Sequence, residues 1–260
     1  MRRFTLETRG DEFSDQLKEQ IKERLIGLDF IYDSLDPELV ISVGGDGTFL
    51  RAIHRHVEKL NQVAFVGVHT GTLGFFTDYS KEDLEEFYND LSTKEAQIQK
   101  IQLLKISTFN GTKLNDYFAV NEMRVENVKQ TQLINVLIDG EFFETFRGTG
   151  MCVSSQAGST AYNRSLGGAI LQEGLDYLQL TEITGIHHQA YRSLGSPLII
   201  KKDGVIRLES DDFEKAILCY DHLYTKLEGV KAIECKACHK SIRLAHYKKI
   251  AFGQRLKSLF

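Results

Sequence analysis

Near residue 100 the chain changes rhythm, and that change limits the folds open to it more than any other feature. Before it, short apolar runs alternate with helical patterns. Residues 4–8 form a short apolar and β-branched run, and residues 11–26 place Phe13, Leu17, Ile21 and Leu25 at spacings of four, one face of a helix. Leu39-Val40-Ile41-Ser42-Val43 reads as a buried strand, and 49–60 returns to the helical period through Phe49, Ile53, Val57 and Leu60. Residues 63–68 read as another buried strand and 81–91 as another helix. Strand alternating with helix predicts βαβ units on a mostly parallel sheet. After residue 100 the turn signals are Asn110-Gly111, Asp139-Gly140 and Asp203-Gly204, pairs that tolerate the positive φ of a tight hairpin. Residues 133–138 lead into Asp139-Gly140 and 141–146 lead away, which predicts a hairpin. Apolar runs at 198–200, 205–208 and 216–220 continue the β character. The reading is an α/β domain with a mostly parallel sheet over 1–100 and a β-rich domain over 101–249. No Pro- or Ser-rich linker separates them, so the two are expected to pack together.

Composition narrows the partners. The 260 residues are 42% hydrophobic, enough for a core, and 26% charged. The uncharged run 61–77 is studded with Gly, Thr and His and predicts no membrane helix. Arg2, Arg3, Glu7, Arg9, Asp11 and Glu12 stand where a signal peptide needs an apolar stretch, so a cytoplasmic protein is expected. Cys235, Cys238 and His239 spell C-x-x-C-H, but the isolated Cys152 and Cys219 supply no second ligand pair, so these thiols read as part of a strand or turn. Residues 226–260 hold nine Lys and Arg against Glu228 and Glu234, a local +7 within a net charge of −4, which leaves −11 for the rest. Their alternation with apolar residues, as in 241–246, reads as the wet face of strands rather than a nucleic-acid surface.

The most informative stretch is Gly44-Gly45-Asp46-Gly47-Thr48, between a strand and a helix. Glycines there allow a sharp turn and close approach of a ligand, and a helix start offers free N–H groups to an anion. The P-loop pattern is absent, and Leu50 stands where the dinucleotide fingerprint needs its third glycine. A carboxylate beside phosphate is repulsive unless it takes a proton from an attacking hydroxyl or helps hold Mg²⁺, which gives Asp46 a chemical role. The plainer reading has Asp46 capping the helix. In the β-rich half, Asn121-Glu122 combines an amide suited to a base edge with a carboxylate suited to ribose hydroxyls, or is an ordinary strand-end turn. Gly158-Ser159-Thr160-Ala161-Tyr162-Asn163-Arg164-Ser165, then Leu166-Gly167-Gly168-Ala169, offers small hydroxyl residues, a ring for stacking and a positive charge. The uncharged approach over 148–163 favours ligand contact over a flexible polar loop.

Together these stretches resemble the NAD kinase family, in its short bacterial form. Residues 44–48 match GGDGT, and His69-Thr70-Gly71-Thr72-Leu73-Gly74-Phe75 is similar to the family's [NH]TG-x-LGF segment. Asn121-Glu122 matches its NE pair and 158–162 its GSTAY, in order along nearly the whole chain. GGDGT alone also resembles loops of lipid kinases and phosphofructokinases; the combination is specific. The resemblance implies phosphorylation of the adenosine ribose 2′-hydroxyl of NAD by ATP or polyphosphate, with Mg²⁺ carried by the nucleotide rather than by protein ligands. It implies Asp46 as general base, with Gly44, Gly45, Gly47, Thr48 and Arg51 forming the phosphate loop. Asn121 would contact adenine and Glu122 the ribose, while Phe75 and the run Ser159, Thr160, Ala161, Tyr162, Asn163, Arg164 and Ser165 line the dinucleotide pocket. Arg147, Thr149, Thr184 and His222 fall at further contact positions. A β-sandwich second domain, a C-terminal segment of about 250–260 returning to the first domain, and a homodimer or homotetramer whose neighbour completes the nicotinamide end are also implied.

One departure stands out. Where the family has R-G-D-G, this chain has Arg147-Gly148-Thr149-Gly150, and Ser155-Gln156-Ala157 replaces a Thr-Pro start. Thr149 cannot accept hydrogen bonds as a carboxylate does, which implies weaker hold on the nicotinamide half. Two other readings stay open at this level: a lipid kinase of the wider superfamily, and a dinucleotide-binding regulator without catalysis.

Overall fold

The computed structural model describes residues 2–187 and 192–259. The chain forms two compact units, Met1–Ile101 with Lys240–Phe260, and Gln102–His239.

In the first unit, β1 (Arg3–Thr8), β2 (Ile31–Tyr32), β3 (Leu39–Val43), β4 (Ala64–His69) and β5 (Tyr79–Ser80) pair in parallel, in the order β5-β4-β3-β1-β2. All five residues of β3 are buried, as a central parallel strand covered on both faces requires. Helix α1 (Glu12–Ile26) begins one residue after its expected start, because the Asp11 side chain caps it by accepting the Ser14 N–H. Its buried face is Ser14, Leu17, Ile21 and Leu25, whereas Phe13 is half exposed beneath the Lys81 ammonium. Helix α2 (Asp46–Arg55) starts three residues before Phe49 and gives way to a 3₁₀ turn over Val57–Lys59. Helix α3 (Leu84–Thr93) starts three residues later than expected, since the Asp83 carboxylate accepts the Ser80 N–H and hydroxyl and holds the chain in a turn.

The second unit is antiparallel. Its strands are β6 (Gln97–Asn110), β7 (Thr112–Ala119), β8 (Glu122–Glu126), β9 (Gln132–Ile138), β10 (Glu141–Ser154), β11 (Tyr177–Gly185), β12 (Leu198–Lys201), β13 (Val205–Glu209), β14 (Ile217–Tyr220), β15 (Leu223–Lys226) and β16 (Ala232–His246), with β6 and β16 carrying the chain between units. Strand β10 is the hub. Its first half pairs with β9, its second half with β8, and its other edge with β11. These strands enclose one apolar core that includes Met123, Val125, Ile134, Val136, Phe146 and Val153.

The Asn110-Gly111 and Asp139-Gly140 hairpins form as the sequence predicts. Asp203-Gly204 does not make one: β12 pairs with β11, β13 pairs with β9 and β16, and Gly204 is not among the positive-φ residues. There the Gly204 N–H donates to the Lys201 carbonyl to close a turn, and the Asp139 carboxylate accepts the Val205 N–H. The C-terminal segment joins the first unit at Lys240 rather than about 250, because Leu244 pairs in parallel with Phe65 and Ala245 enters that unit's core. Cys235 and Cys238 lie three apart on β16, so strand alternation turns them to opposite faces and they make no joint ligand pair.

Asp139 and Gly140 both take positive φ, 53° and 86°, and a Cβ on Gly140 would meet open space. Gly140→Ala should therefore cost about 1–2 kcal/mol of stability through backbone strain alone, seen as a lower urea midpoint. Gly253→Ala, with the same open space but a helical backbone, should add up to about 1 kcal/mol of stability and raise the midpoint.

Candidate active site

In the first unit the site is built around the turn from β3 into α2. Gly44 has φ of +150°, and a Cβ there would stand 2.4 Å from Thr48 Oγ1, so glycine is imposed by the chain itself. Gly45 and Gly47 are exposed, and nothing lies within 4 Å of where their Cβ atoms would be. That leaves the start of α2 open to a ligand. The cap residue is Gly45, and Asp46 is the first helical residue. Its carboxylate does not cap the helix: Oδ2 accepts the Phe75 N–H at 2.9 Å and Oδ1 accepts the Phe76 N–H at 3.1 Å. A Cβ on Gly74 would fall 2.2 Å from Asp46 Oδ1, so the carboxylate fills the space that glycine leaves. The Phe76 ring stacks on Phe49 of α2 at 5.3 Å. Arg51 Nη2 donates to Thr48 Oγ1 and to the Arg9 carbonyl, both at 3.3 Å. Phe75 is half-buried beside this group.

In the second unit, Asn121 and Glu122 sit where the turn after β7 enters β8, and they are 8% and 6% exposed. Asn121 Oδ1 and Glu122 Oε2 are buried acceptors that receive no hydrogen bond from the chain. An unmet buried acceptor costs about 1–3 kcal/mol, so this pair asks for donors from a ligand. Its backbone is tightly held. The Asp221 carboxylate accepts the N–H groups of Val120 and Asn121, both at 2.8 Å, and the Asp221 N–H donates to the Glu122 carbonyl. Ser155 donates its N–H to the Asn121 carbonyl and its hydroxyl to that of Val120. A Cβ on Gly158 would lie 2.0 Å from the Asn121 carbonyl oxygen, so the 158–162 stretch packs directly against the pair.

That stretch is no flexible loop: Ala157–Thr160 is a 3₁₀ turn, and Tyr162–Ser165 forms the one-turn helix α4. Ser159 and Asn163 are fully buried and engaged inside the unit, through the Leu171 N–H and the Thr181 hydroxyl. Thr160, Ala161 and Tyr162 are half-buried, and Arg164 and Ser165 are exposed. The Arg124 guanidinium lies 3.9 Å from the Tyr162 ring centre, so one face of that ring is already covered. His222 is exposed in the turn directly after Asp221.

Arg147, Thr149 and Thr184 form a separate group. They flank the Gly148–Gly185 pairing of β10 with β11, five to seven positions along β10 from Ser154, which opposes Glu122. Five residues of strand span about 17 Å. Thr149 is mid-strand rather than in a surface turn, with its carbonyl accepting from Asn127 N and Gln132 Nε2, both at 2.9 Å. Among the described residues no three His, Cys, Asp or Glu side chains gather to hold a metal ion.

Residues 12–96 match the ATP-NAD kinase N-terminal domain and residues 120–247 the ATP-NAD kinase C-terminal domain. NAD kinase 1 of Bacillus anthracis is 38% identical over 260 residues, covering 99% of this chain and 98% of that protein. The chain belongs to the NAD kinase family. The NAD kinase of Geobacillus stearothermophilus is likewise 38% identical, over 99% of this chain and 96% of its own length. In fold, the chain is similar to yeast NADH kinase complexed with NADH, with a TM-score of 0.83 at 17% identity over 100% of this chain and 86% of that one. It is also similar to an NAD kinase from Archaeoglobus fulgidus in complex with ATP, with a TM-score of 0.76 at 21% identity over 98% and 99% of the two chains.

Two residues of this candidate site escape a reading of the sequence. Asp221 lies about a hundred positions from the amides it binds, and nothing in its neighbourhood signals the pairing. Gly74 is visible as part of a motif, but its contact with Asp46 is not. Burial, reinforced by the Asp221 charge, pushes the Glu122 carboxyl from 4.5 up to about 7. A raised acid binds its proton more tightly in the fold, so its contribution is most favourable below pH 4.5 and is lost as pH rises towards 7. Glu122→Gln should therefore gain stability relative to the parent between pH 5 and pH 8, by up to about 3 kcal/mol, seen as a higher relative melting temperature. Parallel thermal melts at the two pH values, without substrate, check this.

Proposed function

We propose that the chain phosphorylates the adenosine ribose 2′-hydroxyl of NAD to give NADP, with ATP or polyphosphate as donor. The reading rests on the paired buried acceptors Asn121 Oδ1 and Glu122 Oε2 in a member of the NAD kinase family. An adenine amino group supplies the donor that Asn121 lacks, and a ribose hydroxyl supplies the one that Glu122 lacks. Asp46 is the general base: it takes the hydroxyl proton as the ribose oxygen attacks the terminal phosphorus, and the bond from that phosphorus to ADP breaks. Two amide donors fix the carboxylate's orientation before substrate arrives. Gly44, Gly45, Gly47 and Thr48 bring the donor phosphates to the N–H groups of α2, with Arg51 beside them. A divalent cation enters with the nucleotide's phosphates. In this reading Phe75 of the first unit, and Tyr162 with the outward side chains of 160–165 in the second, are each assigned to contact with the dinucleotide.

The separation of Arg147, Thr149 and Thr184 from Glu122 supports a homodimer or homotetramer in which this group serves a neighbouring copy's nicotinamide end. Exposed Leu133, Phe142, Ile199 and Tyr224 in the second unit offer apolar surface for such contacts. NAD and ATP as substrates fit a protein of the cytoplasm, and among the described residues no helix is long and apolar enough to cross a membrane.

Asp46→Asn keeps the side chain's size and removes the base. Turnover should fall about a hundredfold or more while NAD still binds, as a coupled NADPH assay and calorimetry would register. Retained turnover, with loss in Glu122→Gln, would make Glu122 the base instead. Thr149→Asp restores a carboxylate acceptor and should tighten NAD about five- to thirtyfold while leaving free adenosine unchanged. Equal gains for both ligands in a titration would remove Thr149 from the nicotinamide end.

A further inference from the structure

Helix α5 (Phe252–Lys257) carries a charged side chain that is buried. Arg255 is 3% exposed, although the charge pattern of the C-terminal stretch reads as a solvated face. Burying a guanidinium is costly unless its donors are met. Here Nη1 donates to the Gly74 carbonyl at 3.1 Å and the Thr77 carbonyl at 2.6 Å, and Nη2 donates to Asp78 Oδ1. Asp78 is itself buried, and its Oδ2 lies 2.7 Å from His246 Nδ1, whose Nε2 lies 2.8 Å from Gln99 Oε1. One turn earlier on α5, the Phe252 ring meets the Phe75 ring edge-on at 6.3 Å. The two carbonyls that Arg255 holds bracket Phe75 and Phe76, whose amides hold the Asp46 carboxylate.

We propose that Arg255 is a positioning residue for Asp46, pinning the 74–77 loop at both ends so that its two amides hold the carboxylate in one orientation. The inference rests on the reading of Asp46 as the base. The planar guanidinium fork serves Gly74, Thr77 and Asp78 together; a lysine ammonium is a point charge on a flexible stem and cannot keep all three. A loop released at one end moves the amides by an ångström or so, and misplacement on that scale costs about a hundredfold in rate.

The test is a double-mutant cycle between Arg255→Gln and Asp46→Asn in the full chain, with NAD varied at saturating ATP. With Asp46 present, Arg255→Gln should lower kcat about ten- to a hundredfold while KM for NAD stays within about twofold. In the Asp46→Asn background the same change should cost almost nothing, because a residue that acts only through Asp46 has nothing left to position. Arg255→Lys should recover part of the loss. Gly74→Ala, which crowds Asp46 Oδ1 directly, should lower kcat while Arg255 is intact. An unchanged kcat in Arg255→Gln, or an equal loss in both backgrounds, overturns the proposal and leaves Arg255 a structural residue. If Asp46→Asn alone keeps its turnover, the base reading fails, and this inference fails with it. Should Arg255→Gln not fold, Arg255→Lys, which keeps a positive charge for Asp78, carries the same cycle.

Discussion

An aspartate that accepts two successive main-chain amides is the device on which the site residues of each unit depend. In the first unit Asp46 takes the amides of Phe75 and Phe76, and in the second Asp221 takes those of Val120 and Asn121. The geometry is the same, but the use is opposite. Asp46 is the group being held, with the loop as its clamp. Asp221 does the holding, and what it fixes is the backbone beneath Asn121 and Glu122. Two N–H donors on one carboxylate remove its rotation and fix a peptide plane at once, so each pairing orders two segments distant in sequence.

How far the sequence could be read follows from where such pairings fall. Leu39–Val43 and Ala64–His69 are legible as strands because burial on both faces demands unbroken apolar runs. Asp139-Gly140 is legible because its positive φ values restrict which residues can stand there. Asp203-Gly204 carries the same dipeptide signal without the hairpin, since strand pairing is settled by partners that no local pattern names. The glycine loop, the Asn-Glu pair and the 158–165 stretch are each visible alone. That Gly158 rests on Asn121, or that the Gly74 gap is filled by Asp46, depends on contacts across 28 to 37 positions of chain, from 46 to 74–76 and from 121 to 158. Arg255 is the plainest miss. Counted with its neighbours it is one more positive charge on a basic tail, and only packing shows that it lies inside.

Solvation separates roles among the candidate residues more sharply than residue type does. Ser159 and Asn163 look like ligand contacts in sequence, yet the Ser159 hydroxyl and the Asn163 Oδ1 are engaged by Leu171 and Thr181 inside the unit. Asn121 and Glu122 are equally buried, but one oxygen of each remains unmet. The same desolvation that raises the Glu122 carboxyl makes it a strong acceptor for a hydroxyl that excludes water on arrival.

The glycines around Asp46 divide by what demands them. At Gly44 and Gly74 a methyl group would collide with Thr48 or Asp46, so the protein itself enforces glycine there. At Gly45 and Gly47 the methyl would point into open space, and nothing in the chain forbids it. A screen scored by abundance in cells and one scored by product formed would therefore disagree along this short loop. Library members altered at 45 and 47 would accumulate as folded, inert protein, a ready source of dominant-negative subunits if copies assemble, while those altered at 44 would vanish from both.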